Sequence, residues 1–247
     1  MYRDCFLDFF SDEAMRIEIV KSPTLGLKIA KALLYKHVDL KTVLFLSGGT
    51  TAKPLYQDLA REKKLHPGAV AYVDERYGPS LHPNSNEKMI KETGLIDYLA
   101  SQKIPFYPIL RLHPKGVASD FAKSYNKKIK YLLEHFSKRI SIMGIGEDGH
   151  IAGLPAKVKS SKLKVKSYVA EIRDFPGKFK QRITLTFKAL SQMDLLIVFV
   201  FGSAKKKALN LMFTQGSVEE IPARFFKLSD VAKKTILITD QKVYNNY

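Results

Sequence analysis

Four times along this chain a short apolar run breaks off into glycine or charge: "TVLFLSGG", "AVAYVDER", "SIMGIGEDGH" and "LLIVFVFGS". No other feature constrains the fold as strongly. A strand that is apolar on nearly every residue needs cover on both faces, and helices between successive strands supply it by winding a parallel sheet. Helical patterns do fall between them. Leu25, Ile29, Ala30, Leu33 and Leu34 recur at helical spacing, and "KPLYQDLAREKKL", "VASDFAKSYNKKIKYLLEHF" and a stretch from about Ala204 read as further helices. "NSNEKMIKETGLIDYLA" reads as one capped helix, "IPFYPIL" as a short extended piece, and "RITLTF" (Arg182–Phe187) and "KTILIT" as strands. At the start, "CFLDFF" predicts an opening strand and "SDEAMRIEIV" a helix with Ser11 as N-cap. "PAKVKSSKLKVKS" reads as a surface loop leading into a strand. With no repeat and no Pro/Gly/Ser-rich linker, the expectation is an α/β fold. It is a single domain over residues 1–247, with a Rossmann-like, doubly wound, mostly parallel sheet flanked by helices.

Composition narrows the function classes. A chain of 247 residues that is 45% hydrophobic can bury a substantial core. No window approaches the roughly 18 apolar residues of a membrane span, and the acids in "MYRDCFLDFFSDEAM" stand where a signal peptide needs basic residues, so the expectation is a soluble, cytoplasmic protein. The single cysteine, Cys5, excludes an intramolecular disulfide and a cysteine-cluster metal site, and reads as a packing residue. The net charge of +17 attracts polyanions in general. Yet lysine supplies 32 of the 41 basic residues in short scattered runs, unlike the clustered arginines and aromatics of nucleic-acid readers. A solvated lysine-rich surface comes first, attraction for anionic metabolites second. No specific nucleic acid and no membrane is expected as partner.

In open parallel sheets, ligands sit beyond the carboxyl ends of the strands, so polar residues there carry the most weight. Ser47-Gly48-Gly49-Thr50-Thr51 joins a strand to a helix. It reads either as a tight turn with a threonine cap or as a cradle where backbone N–H groups and hydroxyls meet a monophosphate. Asp74-Glu75-Arg76 ends the next strand, leaving Arg76 as a fork for phosphate or carboxylate. "HPNSN" follows with His82 and Asn86, which serve a site or simply cap a helix. In "GIGEDGH" the glycines turn the chain off a strand and bring Asp148 and His150 together. A histidine with a carboxylate beside it suits general-base work near neutral pH. Arg182 and Lys205 are either surface charges or further anion contacts. His82, His113 and His150 lack metal-ligand spacing, GxSxG is absent, and the Ser47–Thr51 loop has neither the GxxxxGK[ST] nor the GxGxxG spacing, so neither metal nor nucleotide cofactor is expected.

Taken in order, "SGGTTAKPLY", "VDERYGP…HPNSN", "MGIGEDGHIAGLP", "QRITLTF" and "FGSAKKKAL" resemble the 6-phosphogluconolactonase branch of the glucosamine-6-phosphate isomerase/deaminase superfamily. The resemblance implies hydrolysis of a sugar-phosphate lactone without cofactor. It makes His150 the general base, Asp148 its orienting partner, and Arg76, Lys205 and Ser47–Thr51 the phosphate contacts, with Arg182 close by and Asp74 in support. The alternatives are a glucosamine-6-phosphate deaminase or isomerase and a non-catalytic sugar-phosphate binder. Deaminase relatives carry a glutamate soon after the histidine, whereas this chain has no acid between His150 and Glu171. The chain also departs from the lactonase pattern. Ile151 and Gly153 alter the segment before Pro155, Ala52 replaces a proline, and "GKFKQR" replaces a proline-rich approach to Arg182. A monomer or homodimer is expected.

Overall fold

A computed structural model describes residues 14–110, 116–157 and 166–243. The expected opening strand, Cys5, Ser11 and His113 lie outside these residues. Among the described residues ten strands form two sheets, and the larger one is parallel throughout, with the order β1-β10-β9-β6-β2-β3-β5. Its strands are β1 (Arg16–Ile19), β2 (Thr42–Leu46), β3 (Ala69–Tyr72), β5 (Phe106–Tyr107), β6 (Lys138–Gly144), β9 (Leu195–Val200) and β10 (Thr235–Thr239). Every residue of β2, β3 and β10 is buried, as an all-apolar strand between helix layers requires.

Helices α1 (Pro23–His37), α2 (Lys53–Glu62) and α5 (Ala118–His135) cover the sheet. Ser22 caps α1, its hydroxyl accepting from the Leu25 N–H, and Pro23 follows where a missing N–H costs nothing. The segment read as one capped helix is two: α3 (Asn86–Lys91), capped by Ser85, and α4 (Leu95–Ser101). The break falls at Thr93-Gly94, where the Thr93 hydroxyl donates to the Ile90 carbonyl and Gly94 turns at φ +80°.

A second expectation also fails. "RIEI" is the strand β1, not part of a helix. It lies at the sheet edge beside β10, and Val20 N–H continues the ladder to the Thr239 carbonyl at 2.8 Å. Pairing with a neighbour absent from the local sequence outweighed the capping signal. The strand expected at "RITLTF" is present, but it lies outside the parallel sheet. This strand, β8 (Arg182–Leu185), sits between β4 (Asp74–Arg76) and β7 (Val169–Ile172) in a three-stranded antiparallel sheet. Continuing past β3, the chain bends at Val73 out of the large sheet to start the small one, while Val73 bridges Leu46 and Leu185.

The strand order positions the site. From β2 the chain builds outward through β3 to β5, and from β6 it builds the other way through β9 and β10. The order therefore reverses between β2 and β6, and the loops leaving their carboxyl ends diverge to leave a crevice. The small sheet closes one side of it.

Candidate active site

A cavity of about 540 Å³ occupies that crevice. The loops after β2, β6 and β9 and the side chains of β4 and β8 line it. Of the residues singled out in the sequence, Ser47, Gly48, Gly49, Thr50, Thr51, Asp74, Arg76, Asn86, Asp148, His150, Arg182 and Lys205 all line the cavity. His82 does not. Its Nε2 lies 3.0 Å from the Arg76 carbonyl, and its Nδ1 accepts from the Asn84 N–H at 3.3 Å. A neutral ring protonated on Nε2 satisfies both contacts, so His82 braces the turn that carries Arg76.

The loop after β2 leaves the sheet against the wall formed by α3. A β-carbon on Gly48 would overlap the Asn86 carboxamide, so only glycine lets the two loops meet this closely. Asn86 Nδ2 donates to the Asp74 carbonyl at 2.9 Å, tying the α3 cap to β4. Beneath them lies Glu75, 1% exposed, whose carboxylate accepts from the N–H groups of Arg76, Asn86 and Glu87 at 2.7, 2.8 and 2.9 Å. Burial nevertheless dominates and pushes this carboxyl up to about 7. Sequence reasoning passed over Glu75 because its neighbours on both sides carried the obvious charges.

After β6 the chain folds into a closed turn in which Gly146 N–H donates to the His150 carbonyl and Gly149 N–H to the Gly146 carbonyl. A β-carbon on Gly146 would overlap His150 Cε1 and Nδ1, so the imidazole lies directly on the turn's backbone. Asp148 Oδ1 stands 2.6 Å from His150 Nδ1 and also accepts the His150 N–H at 3.1 Å. The hydrogen bond from His150 holds the Asp148 carboxyl down to about 2. Ionised Asp148 thus keeps the proton on Nδ1 and leaves Nε2 as the basic nitrogen.

Asp74 lies within electrostatic reach of His150 but makes no hydrogen bond to it among the described residues. Burial raises its pKa, opposed by Arg182, His150 and Arg76, and its Oδ2 lies 3.7 Å from Arg182 Nη1. The partner of His150 is therefore Asp148, with Asp74 committed to the arginine side. Lys205 follows β9 on a 3₁₀ turn (Ser203–Lys205) and donates from Nζ to the Ile145 carbonyl at 2.9 Å. Buried Ser47 Oγ and Arg76 Nε have no hydrogen-bond partner among the described residues. Nor do three His, Cys, Asp or Glu side chains gather there as a metal ion would need.

The atypical "IAGLP" segment packs the far wall. Ile151 is fully buried and bridges to Ile145 and Leu154. Ala152 lines the cavity in a left-handed conformation at φ +52°, and Gly153 N–H donates to Thr184 Oγ1 of β8 at 2.9 Å. Several wall residues were not singled out in the sequence, Met143, Glu147 and Phe199 among them. Phe175 and Pro176, from the loop between β7 and β8, also line the cavity, and the Phe175 ring meets the His150 ring edge-on at 5.1 Å. The only local signal was "FPG", an aromatic beside a turn.

Fold and cavity together define an α/β protein with a crevice at the switch point of a parallel sheet, lined by two arginines and a lysine. A family model described as glucosamine-6-phosphate isomerases/6-phosphogluconolactonase matches residues 26–237, and the chain belongs to that family. A 6-phosphogluconolactonase of Synechocystis sp. is 29% identical over 196 residues, covering 74% of this chain and 76% of the relative. The structure of 6-phosphogluconolactonase from Trypanosoma cruzi superposes with a TM-score of 0.72 at 23% identity, covering 96% of this chain and 98% of that one. A monomeric glucosamine-6-phosphate deaminase superposes with a TM-score of 0.68 at 18% identity, covering 91% and 97%. Backbone likeness shows the fold alone, since proteins with both names share it.

Proposed function

We propose that this protein hydrolyses 6-phospho-D-glucono-1,5-lactone to 6-phospho-D-gluconate, a step of the oxidative pentose phosphate pathway. The observation that carries the reading is the Asp148–His150 pair at the switch-point crevice, facing Arg76, Arg182 and Lys205 across one cavity. His150 Nε2 takes a proton from water as the oxygen attacks the lactone carbonyl. The tetrahedral intermediate then collapses with cleavage of the bond from the carbonyl carbon to the ring oxygen. The imidazolium returns the proton to that oxygen, giving the open hydroxy acid. Asp148 stabilises the imidazolium through Nδ1–H. The Ser47–Thr51 loop, Arg76 and Lys205 hold the phosphate, with Arg182 beside them, so that binding energy from the remote end positions the carbonyl.

By the resemblance, a deaminase carries a glutamate soon after the histidine, in addition to acids such as Asp74, Glu147 and Asp148 that already line this cavity. Glu171, the next acid after His150, is absent from the cavity lining and pairs with Arg173 at 2.9 Å. That arrangement supports the lactonase over the deaminase.

Purified protein should open the lactone well above the spontaneous rate, and His150→Ala should lose roughly 10²–10⁴-fold of that excess. Equal rates for the two proteins would sink the reading. Ammonia release from glucosamine 6-phosphate is expected to be absent.

A further inference from the structure

The antiparallel register of β4 and β8 sets Arg76 directly opposite Arg182. Residues so paired project from one face of a sheet, and like charges there repel. Asp74, two residues before Arg76 and on the same face, pairs with Arg182 at 3.7 Å. On that face of the sheet the two guanidiniums are set against a single carboxylate.

Each guanidinium has an aromatic ring beside it, and both rings come from the loop joining β7 to β8. Arg182 Cζ lies 4.2 Å from the centre of the Phe175 ring, and Arg76 Cζ lies 5.4 Å from that of Phe179. Arg182 Nε also donates to the Phe179 carbonyl at 3.3 Å. The loop is closed on itself, since Phe175 N–H donates to the Lys180 carbonyl at 2.9 Å around a turn with Gly177 at φ +90°. It is fastened to β4 through Tyr77 N–H and the Gln181 carbonyl at 3.0 Å. A ring face attracts a cation without hydrogen-bonding it, so although Arg76 Nη1 donates to the Asn84 carbonyl at 2.6 Å, the rings themselves take up none of the remaining N–H groups. A carboxylate in the same place would occupy those donors and cancel the charge.

We propose that Phe175 and Phe179 are positioning residues that hold the cross-strand Arg182–Arg76 pair open toward the cavity as a single receptor for a dianionic phosphate group. The identity of that group as a phosphate monoester rests on the lactonase reading; the ring and arginine geometry does not.

The test is a double-mutant cycle read by calorimetric titration with 6-phosphogluconate and with inorganic phosphate. Phe175→Leu should weaken binding of both about 5- to 30-fold, the range expected of a desolvated cation–ring contact. KM for the lactone should rise by a similar factor while kcat stays within about 3-fold, a small change on the scale of catalytic loss. In an Arg182→Gln background the same Phe175→Leu change should add nothing, and Phe175→Tyr should restore affinity. Equal weakening in both backgrounds overturns the proposal, as does a fall in kcat at constant KM, which would make Phe175 only a wall for His150. If Phe175→Leu lowers the melting temperature steeply, half-buried Phe179 carries the same cycle with Arg76→Gln, with the same two outcomes. Failure of the wild type to bind either anion also overturns it. Wild-type protein that follows the predicted anion pattern yet opens no lactone defeats the lactonase reading alone. Intact turnover with phosphate affinity unmoved in Phe175→Leu and Phe179→Leu defeats this proposal alone.

Discussion

The large parallel sheet and the small antiparallel one furnish the same cavity by different means. β2, β6 and β9 contribute through the loops that leave their ends: the Ser47–Thr51 loop, the closed turn bearing Asp148 and His150, and the 3₁₀ turn bearing Lys205. Glycine shapes those turns; the Asp148–His150 turn is closed by bonds between residues a few positions apart, while the Lys205 turn is also tied to Ile145 and Asp240. β4 and β8 contribute through side chains on one face, and those are brought together by pairing across more than a hundred residues of chain. Turn-built parts of a site should therefore fail through chemistry when disturbed. Register-built parts should fail through binding and through stability.

The sharpest way to break this contrast is Gly146→Ala. The added β-carbon overlaps the imidazole and pushes it off Asp148. A loss of kcat of roughly 100-fold is expected, within the worth of general-base help, with KM within a few-fold of wild type in steady-state kinetics. An unchanged kcat would mean that the turn has slack and that its tight closure is incidental.

On the register-built side the expected signature is a pH-dependent stability. The Glu75 carboxyl is pushed up to about 7 in the folded protein, above its ordinary value near 4.5. Between these two values the folded state holds a proton that the unfolded chain has released. Raising the pH through that window therefore favours unfolding, and stability falls by about 2–3 kcal/mol before levelling off above pH 7. Asp74, also raised by burial, acts with the same sign. Urea unfolding across pH 4.5–8 should show the decline, and Glu75→Gln should remove most of it. A variant whose slope matches wild type would place the titration elsewhere.

The smallest effect is expected where the two regions touch, in the wall segment after His150. Ala152 sits at φ +52°, where a β-carbon is strained and glycine is not. Ala152→Gly should stabilise the protein by ~0.5–1 kcal/mol in a thermal melt, net of the entropy glycine adds to the unfolded chain. A loss of stability would mean that the methyl group packs well enough to outweigh the strain.

The parts of the site legible in the sequence follow this division. "LSGGTT", "GIGEDGH" and "FGSAKK" each couple an apolar strand to a turn within ten residues, so both the element and its chemistry could be read together. Asp74, Arg76 and Arg182 were noticed as charges. That the two arginines face each other was not readable, because nothing in "DER" or "QRITLTF" states the register between them. The same cause hid the second sheet, and turned "RIEI" from an expected helix into an edge strand. Phe175 and Phe179 were missed because an aromatic residue in a loop has no spacing pattern, and Glu75 because its burial depends on α3 folding over it. His82 was the opposite case: a conspicuous histidine whose ring nitrogens engage backbone groups outside the cavity.

By itself, then, the sequence determined the alternation of buried strand and helix, the crevice such a sheet must offer, and the Asp148–His150 turn. Each depends on hydrophobic periodicity or on backbone geometry within a few residues. Only the tertiary structure decided which acid serves His150, which residues oppose one another across β4 and β8, and which rings stand behind the arginines. Those are contacts between segments far apart in the chain, and they are selected by packing and burial, which act only once the chain has closed on itself.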